Sequence, residues 1–249
     1  LHGTKMYFLS AKDANHSVSM VDLSNEPAQF SPTTIIPPFD DQVIDSFTLT
    51  SDGIWATTTT NGIKAQLYHL SNKKLQKIEL GVPAGSIELR SLSPKSDFLM
   101  VYPGGWTSST DSFVYKDGKF LSSPIPLNQK DSLLQDIVVV HTEYPSHDGT
   151  LVPLSIITKK ENLERPTPTI MFTYGVFATP NAPSFDKYQL AWVAQGGTYA
   201  LPHIRGGNEK GTKWYKDGKL SKQKNSWMDI VHAAKFLQKE GHSGPNDIV

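Results

Sequence analysis

Two stretches of this 249-residue sequence hold side chains whose type and spacing suit chemistry. In "TYGVF" (173–177) an apolar run ends in Tyr174 and Gly175, with Phe177 three residues beyond the tyrosine. A phenol at the carboxyl end of a strand lies where α/β folds place their sites. Its hydroxyl can donate to a developing oxyanion, an interaction worth ~3 kcal/mol when preorganised. The other reading is a tyrosine packed at a strand end before a glycine turn. The second stretch, "PHIRGGNEKGTKWYKDGK" (202–219), sets glycines, lysines and Arg205 directly after the apolar "GGTYAL". Open backbone and charge there suit either a reaction centre or a shaping loop. Arg205 can hold that loop by pairing with an acid or with carbonyls, or it can contact a substrate. The lysines suit a solvated face better than a binding patch.

Other chemistries lack their residues. Nucleophilic hydrolysis on an α/β sheet needs a serine on a strand-to-helix elbow, G-x-S-x-G, and no such pentad occurs. Gly241-His242-Ser243-Gly244 comes nearest, but Pro245 takes the last position and the segment follows a helical pattern. His147 and Asp148 are sequence neighbours and cannot aim at one centre; Asp148-Gly149 reads first as a hairpin turn. There is no H-E-x-x-H, no Walker loop and no clustered metal-ligand spacing, so neither metal nor cofactor is expected.

The elements that must position these residues fall into two halves. Up to about residue 136 the pattern is of short β-branched or aromatic runs separated by turn residues, as in "SVSMVDL", "IDSFTLT", "GIWATTT" and "SFVYKDG". "MVDLSN" (20–25), "LYHLSN" (67–72) and "VYKDGK" (114–119) recur at a spacing of 47 residues. "LTSDGIW" (49–55) and "LSPKSDFL" (92–99) form a second match. Repeats of ~40–50 residues with about four strands each suit propeller blades, with an irregular β-sandwich as the alternative. Fewer than three complete blades are expected. From residue 137 strands alternate with helices, an α/β order. A helix is predicted around 185–195, and another in "NSWMDIVHAAKFLQKEG". There Asn225 or Ser226 is the predicted cap, Trp227, Ile230, Val231, Ala234 and Leu237 the predicted buried stripe, and Gly241 the stop. "DIV" (247–249) reads as the opening of a further strand.

Composition narrows the partners. Lys plus Arg and Asp plus Glu balance at 24 each, so no charge excess favours nucleic acid or an anionic membrane. Cysteine is absent, which removes disulfides and thiolate nucleophiles and leaves the compartment open, cytoplasmic or periplasmic. No run is long and apolar enough to read as a signal peptide or a membrane span. The first residue is Leu rather than Met, read as an internal point of a longer protein.

Four segments in order, "YPSHDGTLVPLSI" (144–156), "PTIMFTYGVFATPNAPSF" (168–185), "GGTYALPHIRGGNEKGTKWYKDGKLSKQKNSWMDIVHAAKFL" (196–237) and "EGHSGPNDI" (240–248), together resemble the prolyl oligopeptidase family of serine peptidases. The resemblance implies partial β-propeller blades (1–136) followed by a partial α/β-hydrolase domain (137–249). It also implies a soluble enzyme, monomeric at full length, that cleaves short peptides, on the carboxyl side of proline in the namesake branch. Catalysis in that family follows serine-triad logic. By the same resemblance Tyr174 supplies an oxyanion-hole hydroxyl and Phe177 lines the proline pocket. Arg205, Gly206 and Gly207 form the family's loop. Gly175-Val176 stands where two glycines are usual, and a β-branched residue disfavours positive φ. Asn208 stands where a third glycine is common, and asparagine tolerates left-handed backbone. The family's serine lies on the elbow after the strand that "DIV" begins, with its acid and histidine later still; none falls within 1–249. Cleavage after Arg or Lys as in oligopeptidase B, an acylaminoacyl-peptidase or esterase activity, and a non-catalytic propeller binding module are the alternatives.

Overall fold

The structure, a computed structural model, describes residues 3–12, 15–24, 31–107, 112–122 and 134–249. Asn25, which closes the first repeat motif, lies outside them. The chain divides into two compact units.

The first unit is built of antiparallel meanders. β1 (Lys5–Ser10), β2 (Ser17–Asp22) and β3 (Thr33–Ile36) form a three-stranded sheet. β4 (Val43–Thr50), β5 (Gly53–Thr60), β6 (Lys64–Ser71) and β7 (Lys74–Ile78) form a second sheet in sequential order. β8 (Ser86–Ser91), β9 (Leu99–Gly104), β10 (Phe113–Lys116) and β11 (Lys119–Ser122) form a third. The repeat motifs fall on corresponding strands, β2, β6 and β10, as the spacing predicts for blades. The matching turns before β5 and β9 also meet, where Ser51 N–H donates to the Ser96 carbonyl at 2.8 Å.

Alternation along β5 explains how these sheets stack. Ile54 and Ala56 face the first sheet in a cluster with Val18, Ile36 and Ile44. Trp55, one residue out of phase, points the other way into Leu67, Leu99 and Val101. A strand buried on both faces must be apolar at consecutive positions. Trp55 also stacks on His69 at 3.8 Å between ring centroids. Its indole N–H donates to Thr50 Oγ1 at 2.9 Å, which satisfies the one polar atom of a fully buried ring. The Tyr115 hydroxyl from β10 donates to Asp52 Oδ2 at 2.8 Å, tying the third sheet to the second. Burial and that bond to Asp52 push the Tyr115 phenol up to about 12.

The second unit is an α/β sheet in the order β12-β13-β15-β14. β12 (Ile137–Pro145) and β13 (Leu151–Lys159) make a long hairpin, and β13 pairs antiparallel with β15 (Thr198–Pro202). β14 (Thr169–Met171) pairs with β15 in parallel. Residues 247–249 run parallel beside β14, with Thr169 N–H bonded to the Asp247 carbonyl and Met171 N–H to that of Val249. Helix α1 (Lys187–Ala194) connects β14 to β15 and is capped by Asp186, whose carboxylate accepts the N–H of Tyr188 and Gln189. After β15 come α2 (Gly211–Lys216) and α3 (Lys224–Lys239).

Period two again sorts the core. Leu154, Ile156 and Ala200 pack on Ala233 and Leu237 of α3. Ile157 and Leu201, one step out of phase, pack on Leu190 and Val193 of α1. The sheet therefore carries helices on both faces, which is why β13 is buried at every position from Val152 to Thr158.

The predicted α3 stripe is corrected. Its buried residues are Ser226, Asp229, Ala233 and Leu237, while Trp227 and Val231 are exposed. The helix begins one turn earlier than its apolar pattern, with Gln223 at the cap. Asn225 and Ser226 bond loop carbonyls rather than capping. Two polar side chains take the inward positions because they have partners there, described next, and apolar patterning does not detect that.

Candidate active site

β14 and β15 are parallel neighbours, so the segments after them leave the same edge of the sheet. That brings 172–183 beside 203–209, and each holds the other. Phe172 N–H bonds the Ala200 carbonyl at 2.9 Å, and Thr173 Oγ1 donates to the Pro202 carbonyl at 2.7 Å. Gly175 has φ +55, and a Cβ there would fall 2.1 Å from Ile204. Gly206 has φ +103, and a Cβ there would fall 2.2 Å from the Gly175 carbonyl oxygen. Glycine is needed at both positions for space as well as for conformation. Ala178 N–H then bonds the Gly206 carbonyl at 3.1 Å.

On this support Tyr174 is 48% exposed and Phe177 80% exposed. The Tyr174 hydroxyl makes no hydrogen bond among the described residues, so its donor is open to a ligand. Left-handed backbone occurs at Phe177 (φ 55) and Ala178 (φ 57), not at Val176. The β-branched residue thus sits where its stiffness costs nothing, and the strain falls on its neighbours. Of Gly206, Gly207 and Asn208 only Gly206 is left-handed, so Asn208 does not use the tolerance expected of it. A cavity of about 280 Å³ opens beside Phe177, lined also by Gly206, Tyr215, Lys219 and Leu220. The Lys219 ammonium lies over the Tyr215 ring, 4.1 Å from its centroid.

Arg205 anchors the loop from beneath. Its Nε and its backbone N–H both donate to Asp229 Oδ2 at 3.0 Å, and Nη2 donates to Asp229 Oδ1 at 2.6 Å. Nη1 and Nη2 reach Asp148 Oδ2 and Oδ1 at 2.5 and 3.2 Å. Ser146 Oγ donates to Asp229 Oδ1 at 2.5 Å, and the Tyr144 hydroxyl donates to the Asp229 carbonyl at 2.9 Å. The guanidinium is 4% exposed and the Asp229 side chain fully buried. Burial alone opposes charge on Arg205, but the bonds to Asp229 and Asp148 outweigh it and raise its pKa. The hydrogen bond from Arg205 holds Asp148 well below the usual carboxylate range. The Asp148-Gly149 turn therefore has a second use, since it delivers a carboxylate to a residue 57 positions on. Ser226 Oγ ties the same loop by donating to the Arg205 and Gly218 carbonyls at 2.6 and 2.9 Å, and the Trp214 indole donates to the Ile204 carbonyl at 3.0 Å.

Sequence reading passes over a second polar line. Ser155 Oγ lies 3.0 Å from His141 Nδ1 and 2.8 Å from His203 Nε2. His203 Nδ1 lies 4.0 Å from Glu209 Oε1. Serine, histidine and acid in that order match a nucleophile set in type. Ser155 and His203 are both fully buried, so no substrate reaches them. Burial, then the neighbouring His141, pulls His203 down to about 3, and the ring is neutral. Asp229, Ser146, Asn181 and Glu209 all escape sequence reading because their partners lie 24 to 83 residues away. Among the described residues no group of three or more His, Cys, Asp or Glu side chains is set to hold a metal ion, and no helix is long and apolar enough to cross a membrane.

The sequence profile described as the prolyl oligopeptidase family matches residues 183–249, which include α1, the Arg205 loop and α3. Over that stretch the chain resembles the prolyl oligopeptidase family. Prolyl endopeptidase of Elizabethkingia miricola is 40% identical over 101 residues, 40% of this chain and 14% of that protein. The dual function macrocyclase-peptidase of Galerina marginata is 25% identical over 256 residues, 99% of this chain and 34% of that protein. Among solved structures, prolyl oligopeptidase B from Galerina marginata superposes with a TM-score of 0.88 at 23% identity, over 100% of this chain and 36% of that one. Oligopeptidase B from Trypanosoma brucei gives 0.85 at 23% identity, over 100% and 37%. The chain thus spans about a third of the prolyl oligopeptidase relatives that align along nearly all of it. At these identities the superpositions establish the fold, propeller blades followed by part of an α/β-hydrolase sheet.

Proposed function

We propose that this chain is part of a serine-type oligopeptidase that hydrolyses short peptides on the carboxyl side of proline, with Tyr174 donating to the oxyanion and Phe177 packing on the proline ring. The observation that carries this reading is the Tyr174–Phe177 segment. A phenol donor with no hydrogen-bond partner among the described residues and an exposed aromatic ring stand three residues apart at the carboxyl edge of an α/β sheet. Such edges are where α/β folds act. In acyl transfer a serine attacks the peptide carbonyl, negative charge grows on its oxygen, and a preorganised hydroxyl stabilises the transition state more than the ground state. No G-x-S-x-G elbow occurs in the sequence, so the chain's share is the oxyanion donor, the proline contact and the Arg205-Gly206-Gly207 loop that shapes both.

Fold neighbours include oligopeptidase B, so the fold alone does not choose between proline and basic residues. The Phe177 ring favours proline, being apolar and 80% exposed, where Arg or Lys would need a carboxylate. Comparing hydrolysis of blocked Gly-Pro and blocked Arg p-nitroanilides by the intact protein tests the choice. In the same protein Tyr174→Phe is expected to lower kcat by ~10²–10³ with little change in KM. An unchanged kcat removes Tyr174 from the mechanism, and preference for the Arg substrate overturns the proline reading.

A further inference from the structure

The segment bearing Tyr174 and Phe177 is strained. Consecutive left-handed φ values at Phe177 and Ala178 are unfavourable for residues that carry a Cβ and persist only where the surroundings hold them. One hold is the Ala178–Gly206 bond already described. The next lies at Asn181, whose backbone N–H donates to Glu209 Oε1 at 2.9 Å.

Glu209 is an unusual side chain to find there. Its carboxylate is fully buried, with His203 as its neighbour at 4.0 Å. Space for it comes from Gly207, where a Cβ would fall 2.1 Å from Glu209 Oε2 and 2.8 Å from its Cδ. Gly207 does not have a left-handed φ, so its conformation suits any residue. The missing side chain is what the site requires. A buried carboxylate is retained where donors need it, and one donor to Glu209, the Asn181 N–H, belongs to the strained segment.

We propose that Glu209 is a positioning residue: seated over Gly207, its carboxylate accepts the Asn181 N–H and pins segment 174–181, fixing the aim of Tyr174 and Phe177. The pin acts on the site through backbone and touches no substrate. Its kinetic consequence rests on the activity proposed above, whereas its structural consequence does not.

Two kinds of variant separate the pin from general stability. Glu209→Gln keeps an acceptor oxygen in place and Glu209→Ala removes it. Gly207→Ala leaves Glu209 present but pushes aside the far end of a flexible side chain, a change the fold can absorb. Hydrogen exchange of the 172–183 peptide in the intact protein reads the segment directly, and hydrolysis of a blocked Gly-Pro p-nitroanilide reads the site. Glu209→Ala and Gly207→Ala are each expected to speed Asn181 amide exchange about tenfold or more. They are expected to lower kcat by about 10- to 100-fold with a smaller change in KM, and Glu209→Gln to restore both. Exchange within twofold of the parent in Glu209→Ala overturns the proposal, as does a folded Glu209→Gln variant that exchanges like Glu209→Ala. A parent protein inactive on the peptide defeats the proposed activity instead, and the exchange comparison still decides the pin.

Discussion

Asp229→Asn is the sharpest test of how the site loop is held. Four donors converge on this carboxylate, two on each oxygen: the Arg205 backbone N–H and Nε on Oδ2, Arg205 Nη2 and Ser146 Oγ on Oδ1. Asparagine keeps the shape but replaces one oxygen with an NH₂ that cannot accept. With the NH₂ at the Oδ2 position two fixed Arg205 N–H donors face it; at the Oδ1 position Arg205 Nη2 faces it, while the Ser146 hydroxyl can turn and accept. Hydrogen bonds to charged groups contribute ~1.5–3 kcal/mol each, and removing one partner of a buried ion pair costs ~3–5 kcal/mol. Asp148 still pairs with Arg205, so the lower end applies, about 3 kcal/mol or a little over 100-fold in local opening. Hydrogen exchange across 203–218 in the intact protein, with urea unfolding alongside, measures it. The double variant Arg205→Met, Asp229→Leu removes both charges and is expected to recover at least half of the loss. A loss below ~1 kcal/mol for Asp229→Asn, or a double variant as damaged as the sum of its singles, refutes the ion pair as the anchor.

Other consequences are open to direct measurement. His203 has its folded pKa pulled from 6.5 to about 3, so the unfolded chain binds the extra proton first as pH falls. Stability contributed by the neutral ring is complete above pH ~6.5 and is lost progressively from there toward pH ~3. Acid unfolding of His203→Asn is expected to be flatter across that window, and parallel curves count against the assignment. Gly206→Ala places a Cβ against backbone, the Gly175 carbonyl, and is expected to cost ~3 kcal/mol or more in thermal stability, where Gly207→Ala costs little. Equal melting temperatures for the two would contradict the space argument. In the first unit, Tyr115→Phe removes the tie to Asp52 and is expected to cost ~1–2 kcal/mol in equilibrium unfolding.

The sequence by itself carried the two-part organisation, because hydrophobic period and repeat spacing are local properties. The 47-residue repeats landed on corresponding blade strands, and the ordered motifs around "TYGVF" and "PHIRGG" led to the family. It also named Tyr174, Phe177 and the Arg205 loop as the residues to watch. Tertiary structure alone decided what surrounds them. The parallel pairing of β14 with β15 brings the two loops to one edge, which no local pattern encodes. That contact explains why Gly175 and Gly206 are glycine. The inward face of α3 departs from its apolar pattern for the same reason. Apolar spacing favoured Trp227 and Val231, while Ser226 and Asp229 are buried because the Arg205 loop offers partners that offset their desolvation. Polar burial depends on partners distant in sequence, so it becomes legible only once the chain has folded.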